Sequence, residues 1–196
     1  ARSWAPGPPR GGAPGARRRP PAPLAFAPWH ATVRALLDEA QGGASLPEVV
    51  LRLGRRQLAA VLQAHGVEAA QWLAPAAVQA LEQALADRVR SLAAPVLMPQ
   101  AEPLDLLLGA PSSDALSDPL ALWQRHPVLA RFVATALEQW VARGAELVLR
   151  LREDCEALTA AFGLPPAWRV EALRPGLTEA HAGGSSVAEV HLSGGT

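Results

Sequence analysis

Two ionisable side chains that could act together stand near the C-terminal end of the sequence. Glu179 and His181 are separated by one residue, so in an extended segment both side chains leave on the same side. Gly183 and Gly184 follow at once, and glycine lets a backbone approach an anion closely. Backbone N–H groups can hold a phosphate, and a histidine can exchange protons near neutral pH. The pattern is compatible with either role, and elimination of phosphate would use both.

The elements on either side of these residues are predicted to be strands. Residues 168–173 and 187–192 have the composition of two neighbouring strands, and a hairpin turn is predicted to begin at 193–195. His191 alternates with apolar neighbours, so we expect it to face solvent and assign it no role. A strand that ends at its own turn lacks its next partner. We therefore expect the chain to be a piece of a longer protein.

Amphipathic helices are predicted before the strands. Apolar residues recur every three or four positions in four segments, 29–40, 46–65, 75–94 and 127–161. Gly54 is expected to weaken or split the second helix, and Pro95 to stop the third. The fourth would be about 50 Å long, so we expect a bend near Gly144 and an end at Gly163. A short helix is predicted at 104–108. Helices first and strands last indicate a mainly α fold, a helical layer followed by a small C-terminal β-hairpin.

Several further side chains are expected to be structural. Trp123 and Trp140 fall on apolar helix faces and are predicted to pack in the core. Cys155 is the single cysteine, so we expect a buried, inert thiol and assign no metal site. Ion pairs between residues four apart are predicted for Glu48–Arg52 and Glu146–Arg150.

Composition limits the possible classes of function. Residues 1–23 are rich in Pro, Gly and Arg and are expected to be a disordered tail, which leaves 24–196 as the folded domain. The formal net charge of +0 gives no attraction to nucleic acid or an acidic membrane. The sequence contains neither a signal peptide nor an apolar run of about 18 residues, so we expect a cytoplasmic protein. All 18 basic residues are Arg, so a site that requires a lysine amine cannot be complete here.

The segment 176–187 (GLTEAHAGGSSV) also carries a family resemblance. It is similar to the start of the dehydratase domain of class II (LanM-type) lanthionine synthetases, which have a segment close to GLSDPHNGGRSV followed by a strand, Ser-Gly and a strand ending in Tyr-Lys-Pro. The resemblance extends over residues 29–196. This chain departs from the pattern at Glu179, Ala182 and Ser185, which replace Asp, Asn and Arg. The first change moves a carboxylate by one methylene, and the other two could weaken binding.

The resemblance implies an activity and its residues. Members phosphorylate Ser and Thr of a lanthipeptide precursor with ATP and then eliminate phosphate, on a lipid-kinase-like fold of which this chain would be the truncated start. Glu179 and His181 would be catalytic in elimination, and Gly183, Gly184 and Ser186 would lie near the nucleotide phosphates. ATP and Mg²⁺ are implied for the full-length enzyme, no cofactor for the fragment, and zinc only for a separate C-terminal cyclase domain.

Two further consequences concern partners and alternatives. The precursor peptide, leader and core, is the implied partner, with no nucleic acid or membrane. The phosphotransfer lysine would lie beyond Thr196, so we expect the fragment to be inactive alone. A different class of function stays open from the sequence, a non-catalytic helical module that binds a peptide in a groove beside residues 128–140. A degenerate gene product without function is a third possibility.

Overall fold

Helices form most of the structure, and the strands come last. A computed structural model describes residues 29–97, 116–165, 167–176 and 187–194. Within these ranges there are seven helices, α1 (Trp29–Ala40), α2 (Leu46–Ala64), α3 (Ala69–Trp72), α4 (Pro75–Leu97), α5 (Pro119–Arg125), α6 (Pro127–Glu153) and α7 (Cys155–Phe162). Strands β1 (Val170–Arg174) and β2 (Glu189–Leu192) form an antiparallel sheet. The prediction of a mainly helical fold with a small C-terminal hairpin is therefore confirmed.

Two predicted features cannot be compared with the structure. The tail at 1–23 and the short helix at 104–108 lie outside the described residues. None of the helices in the described ranges combines the length and the apolarity that a membrane crossing needs.

Helix α6 lies at the centre of the bundle and packs against α1, α2 and α4. It buries a side chain on nearly every turn, among them Leu129, Val133, Leu137, Val141, Val148 and Leu151. The first half of α6 closes one hydrophobic core with α1, α4, α5 and the start of α2. Its second half closes another core with the end of α2 and with β1. Trp140 packs against both cores, so the two halves of the protein meet on this helix.

Gly54, which was predicted to weaken α2, is the residue at which α2 packs closely against α6. Helix α2 runs without interruption through Gly54, which is buried. A Cβ atom at Gly54 would lie 3.0 Å from Cδ1 of Leu137 and 3.1 Å from Cζ3 of Trp140. The expectation that Gly54 splits the helix is therefore wrong, because the absence of a side chain is what allows α6 to approach α2 closely.

Gly144, where a bend is predicted, packs closely against α2. Gly144 lies inside α6, and a Cβ there would be 3.3 Å from a methyl group of Leu58. The long helix is instead interrupted at Asp154, between α6 and α7. Gly163 follows α7 in the left-handed conformation, with φ 62°, and ends the helix as predicted.

Helix α4 ends later than predicted. It continues past Pro95 to Leu97, although Pro95 has no N–H to donate to the carbonyl of Ser91. Ala93 and Leu97 are both buried in the first core, so packing holds the last turn in place. The expected stop at Pro95 is therefore wrong. The one-turn helix α3 was not predicted, because four residues are too few for a periodic pattern.

One of the two predicted ion pairs is formed. Glu146 and Arg150 lie 2.5 Å apart. Glu48 instead accepts hydrogen bonds from the backbone N–H of Ser45 at 2.8 Å and from its hydroxyl at 2.7 Å. Arg52 pairs with Glu39, 3.6 Å away, so the predicted close contact between Glu48 and Arg52 is not formed. The two bonds from Ser45, the residue before α2, lower the pKa of Glu48, and the positive charge of Arg52 lowers it further.

The aromatic residues pack as expected, and the cysteine is less buried than expected. Trp123 is buried, and Trp140 is half-buried. Cys155 is only partly buried, where it contacts the second core from the first residue of α7. An unpredicted hydrogen bond connects two helices. The hydroxyl of Thr32 on α1 donates to the carboxylate of Glu138 on α6 at 2.7 Å.

Substitution of Gly54 should destabilise the protein. In Gly54→Val the new side chain would overlap Leu137 and Trp140, and overpacking of this kind costs about 1–3 kcal/mol. Ala59→Val on the same helix is the matched control, since Ala59 is exposed and the change costs less than about 1 kcal/mol of helix propensity. Urea unfolding followed by circular dichroism gives both values. Equal losses for the two variants would contradict the packing role of Gly54.

The bond between Glu48 and Ser45 should make stability depend on pH. Because the pKa of Glu48 is lower in the folded than in the unfolded chain, its contribution is present above the unfolded pKa and is lost as pH falls through the folded pKa. We expect Glu48→Gln to lower Tm at about pH 7, and the difference from the parent to disappear at about pH 2, on opposite sides of a carboxyl pKa. Glu171→Gln, at an exposed position, is the control. A difference of the same size at both pH values would be inconsistent with this bond.

Candidate functional site

The β-hairpin that flanks the predicted site contains a bulge in β1. Val170 pairs with Leu192, but the next pair joins Ala172 to His191, so Glu171 is an extra residue in β1. Because of this bulge, Val170 and Leu173 are both buried although they are three residues apart. One face of β1 can thus lie on the helices along its whole length.

Backbone bonds attach the hairpin to the start of α4. The N–H of Ala74 donates to the carbonyl of Val170 at 2.8 Å, and Leu73 forms a parallel bridge with Val170. At the far end of β2, Ser193 and Arg169 exchange two bonds. The N–H of Ser193 donates to the carbonyl of Arg169 at 2.8 Å, and the Ser193 hydroxyl oxygen accepts from the N–H of Arg169 at 2.9 Å.

A tryptophan fixes the hairpin to α7. Trp168 is buried just before β1, and its indole N–H donates to the hydroxyl of Thr159 at 2.8 Å. Its ring meets that of Trp72 edge to face, with 5.7 Å between the ring centroids. The hairpin is therefore held by α3, α4 and α7 together.

The last paired residues of the two strands define where the predicted site segment leaves the sheet. Arg174 pairs with Glu189, and their side chains form an ion pair at 3.3 Å. The segment between them carries the predicted catalytic and phosphate-binding residues, which are Glu179, His181, Gly183, Gly184 and Ser186. These five residues lie outside the described ranges, so their roles stay predictions.

His191 is exposed on β2, as predicted. Its Nε2 lies 3.1 Å from the carboxylate of Glu189. The two side chains lie at the surface of the sheet.

A groove opens beside the point where this segment leaves the sheet. Its cavity of about 580 Å³ lies between α4, α6 and the hairpin. Its lining, here called the α4–α6 groove, consists of Leu81, Ala84, Leu85, Arg88, Ala136, Gln139, Trp140, Arg143, Gly144, Glu146, Leu147, Arg150, Leu173, Pro175, Gly176 and Ala188. Pro175, Gly176 and Ala188 belong to the two chain ends that enter the predicted site segment. The described residues on either side of that segment therefore line the groove.

Among its described lining residues, the α4–α6 groove contains three arginines, Arg88, Arg143 and Arg150, and one acid, Glu146. Glu146 pairs with Arg143 and, at 2.5 Å, with Arg150. Arg88 is exposed and has no ion-pair partner in the described part of the chain.

The floor of the groove is apolar and rigidly held. Leu81, Leu85 and Leu147 contribute aliphatic side chains. The indole N–H of Trp140 donates to the carbonyl of Leu81 at 2.9 Å, which fixes the indole between α4 and α6. The groove therefore combines a fixed apolar floor with cations at its edges, as sites for amphipathic ligands do.

A second cavity, of about 850 Å³, lies between α2 and α4 and contains both charged and apolar side chains, among them Glu48, Glu82 and Arg90. Glu82 accepts two hydrogen bonds from Arg55, at 2.6 and 2.5 Å, and these raise the pKa of Arg55. In the ranges that the structure describes, no three His, Cys, Asp or Glu side chains are grouped so that they could hold a metal ion.

Comparison with known families gives one match. Residues 126–196 match a family described as "Domain of unknown function (DUF4135)". The matched residues begin at His126, directly before α6, and include α7, both strands and the predicted site segment. No curated protein matches the chain.

The groove arginines were not predicted from the sequence to be site residues. Arg143, Glu146 and Arg150 are three and four residues apart, so the sequence does place them on one face of a helix. Arg88 gave no signal, because its position beside them depends on how α4 packs against α6. The peptide groove predicted beside residues 128–140 overlaps this site in part, since Ala136, Gln139 and Trp140 line it.

Loss of the bond to Trp168 should loosen the hairpin that carries the predicted site. Thr159→Val keeps the shape of the side chain but leaves a buried indole N–H unpaired, which costs about 1–3 kcal/mol. Thr135→Val is the control, because the Thr135 hydroxyl only donates within its own helix, to the carbonyl of Arg131 at 2.9 Å. Urea unfolding measures the losses, and hydrogen exchange at the Ser193 amide reports on the hairpin. The idea fails if Ser193 exchanges at the parental rate in Thr159→Val.

Proposed function

We propose that this chain is part of the dehydratase domain of a lanthionine synthetase. Its task would be to eliminate phosphate from phosphorylated Ser or Thr residues of a precursor peptide. The observation that carries the proposal is the residue pattern of the segment between Arg174 and Glu189, whose residues are those expected for phosphate elimination. The described residues on its two sides, Pro175, Gly176 and Ala188, line a groove that also contains arginines.

The residues matched by the family model include this segment. The match covers 126–196 and includes the segment 176–187, whose residues carry the resemblance to lanthionine synthetases. The central helix α6 and the hairpin both belong to it. We propose that this order, a long helix followed by a hairpin, corresponds to the start of a lipid-kinase-like domain.

The proposed chemistry is a β-elimination. A base removes the Cα proton, the electron pair forms the Cα–Cβ double bond, and the Cβ–O bond breaks as phosphate leaves. Glu179 and His181 are the residues proposed to move protons. Cationic side chains beside the leaving phosphate would stabilise its negative charge.

The phosphorylation that precedes elimination would use ATP and Mg²⁺ in the full-length enzyme. Gly183, Gly184 and Ser186 are proposed to lie near the nucleotide phosphates, where backbone N–H groups can act as donors. These three residues lie outside the described ranges, and this 196-residue chain contains no lysine that could contact a phosphate.

An exposed apolar pair favours a second candidate function. Val128 and Phe132 are 61% and 53% exposed on one side of α6. A non-catalytic module that binds peptides would use such residues as anchors. This alternative predicts peptide binding without any phosphate release.

Substitution of the proposed catalytic pair should abolish elimination. In the longest open reading frame that contains this chain, we expect Glu179→Gln and His181→Ala each to slow phosphate release from a phosphoserine peptide about 100-fold or more, since proton transfer contributes about 10²–10⁴-fold. His191→Ala is the control, because His191 is exposed on the neighbouring strand and should be dispensable. Release of inorganic phosphate is measured directly.

Three outcomes separate the proposals. Loss in both variants and not in the control supports the dehydratase. Parental rates in both variants would remove Glu179 and His181 from the mechanism. A parent that binds the peptide but releases no phosphate would support the interaction module.

A further inference from the structure

We infer that the apolar residues just before α1 fold back onto the start of α6 and cover Val128 and Phe132. The segment is 24–28 (LAFAP), which lies outside the described ranges. Phe26 would lie against Phe132, and Leu24 against Val128. The inference goes beyond the proposed function and does not rest on it, because it concerns a contact within the chain and not a substrate.

Val128 and Phe132 form an apolar patch at the start of α6. They are 61% and 53% exposed, and they are four residues apart, so they lie on neighbouring turns of one side of the helix. Within the described ranges, neither side chain belongs to one of the two hydrophobic cores. Covering both would remove apolar surface from water and so stabilise the folded chain.

Trp29, the first residue of α1, brings the segment 24–28 to this patch. Its ring centroid lies 5.3 Å from the guanidinium carbon of Arg131, which directly precedes Phe132 and comes three residues after Val128. Trp29 also packs against the first core, so its ring is held from two sides. The segment therefore ends beside the turn of α6 that carries the patch.

The direction of α1 leads the segment towards the start of α6. Trp29 contacts Arg131. Thr32, later on α1, donates its hydroxyl hydrogen to the carboxylate of Glu138, later on α6. The two helices therefore run in the same direction here. A segment that continues backwards from Trp29 along this direction passes Val128.

The spacing of the apolar residues in the segment matches the spacing of the patch. Pro28 disfavours a helical conformation at the residue before it, so we expect an extended segment. In an extended chain Leu24 and Phe26 leave on the same side, about 6.6 Å apart at 3.3 Å per residue. Val128 and Phe132 are separated by a rise of about 6 Å at 1.5 Å per residue. Two side chains of the segment can therefore meet both side chains of the patch.

This segment fits the patch better than the rest of the N-terminal region or a separate peptide. Residues 1–23 are rich in Pro, Gly and Arg, and Trp4 is the only aromatic residue among them. Residues 24–27 are four consecutive apolar residues, and they are tethered to Trp29. A tether gives a segment a high effective concentration at its site, so a separate peptide would have to displace it. An occupied patch would not be free to anchor another peptide.

The first test is a double-mutant cycle in the full chain. Phe26→Ser and Phe132→Ser should each lower Tm by about 3 °C or more, because each removes a buried apolar contact. The double variant should lose less than the sum of the two, because both changes remove the same contact. Phe162→Ser is the matched control, since Phe162 is 65% exposed on α7, and its loss should add fully to that of Phe26→Ser.

The second test measures proximity and does not depend on stability. Cys155 is the single cysteine, so the background variant is Cys155→Ser. In this background, Phe26→Cys combined with Phe132→Cys should form a disulfide within one chain on mild oxidation, since the bond needs Cβ atoms about 3.5–4.5 Å apart. Phe26→Cys combined with Phe162→Cys should stay reduced. Gel electrophoresis without reductant and mass spectrometry detect the bond, and circular dichroism checks that each variant is folded.

Each other result contradicts the inference. Fully additive losses for Phe26→Ser and Phe132→Ser, or equal disulfide yields for the two cysteine pairs, would exclude the contact. A dimer of the parent in sedimentation velocity that Phe132→Ser converts to monomer would assign the patch to a second copy of the chain. Parental Tm in Phe26→Ser would leave the patch to a separate partner. None of these measurements uses phosphate release, so their outcome is independent of the proposed function.

Discussion

Close contact between α2 and α6 is the constraint on which the other elements depend. Gly54 leaves room for Leu137 and Trp140, and only a residue without a side chain allows this approach. Since Trp140 belongs to both hydrophobic cores, its position fixes the two halves of the bundle relative to each other. Its indole also bonds to α4 through the carbonyl of Leu81, so the width of the α4–α6 groove is set by the same side chain.

The hairpin depends on this bundle in turn. A two-stranded sheet is barely stable by itself in water, and here the bulge at Glu171 turns Val170 and Leu173 towards the helices. Ala74 and Trp168 then connect the hairpin to α4 and α7. The groove wall is thus assembled from three elements that are far apart in sequence.

The sequence predicted the elements whose signal is local. One-sided apolar periodicity located α1 at its observed bounds, and strand composition located both β1 and β2 within about two residues. Predictions failed where packing outweighs local preference. Gly54 is a poor helix former in isolation, yet its contacts with α6 keep it helical. Leu97 is buried, and it keeps the last turn of α4 helical beyond Pro95.

The residues of the candidate site also differ in whether their signal is local in the sequence. Glu179 and His181 could be proposed from residue type, spacing and family resemblance, because each of these is visible in one short segment. Arg88 could not, since its proximity to the α6 arginines follows from how two helices pack. The partner of Glu48 also depended on the folded geometry. Glu48 accepts hydrogen bonds from Ser45 at the start of α2 and makes none with Arg52 one turn later.

The pairing of Arg174 with Glu189 has an evolutionary consequence. Strand pairing fixes the two ends of the connection at Arg174 and Glu189, and a backbone bond holds β1 to the residue before α4. Closing a longer connection costs little, because the entropy of closure grows only with the logarithm of its length. A change in the length of this connection would therefore cost the sheet little. New specificities could be selected on this framework without first having to remodel it.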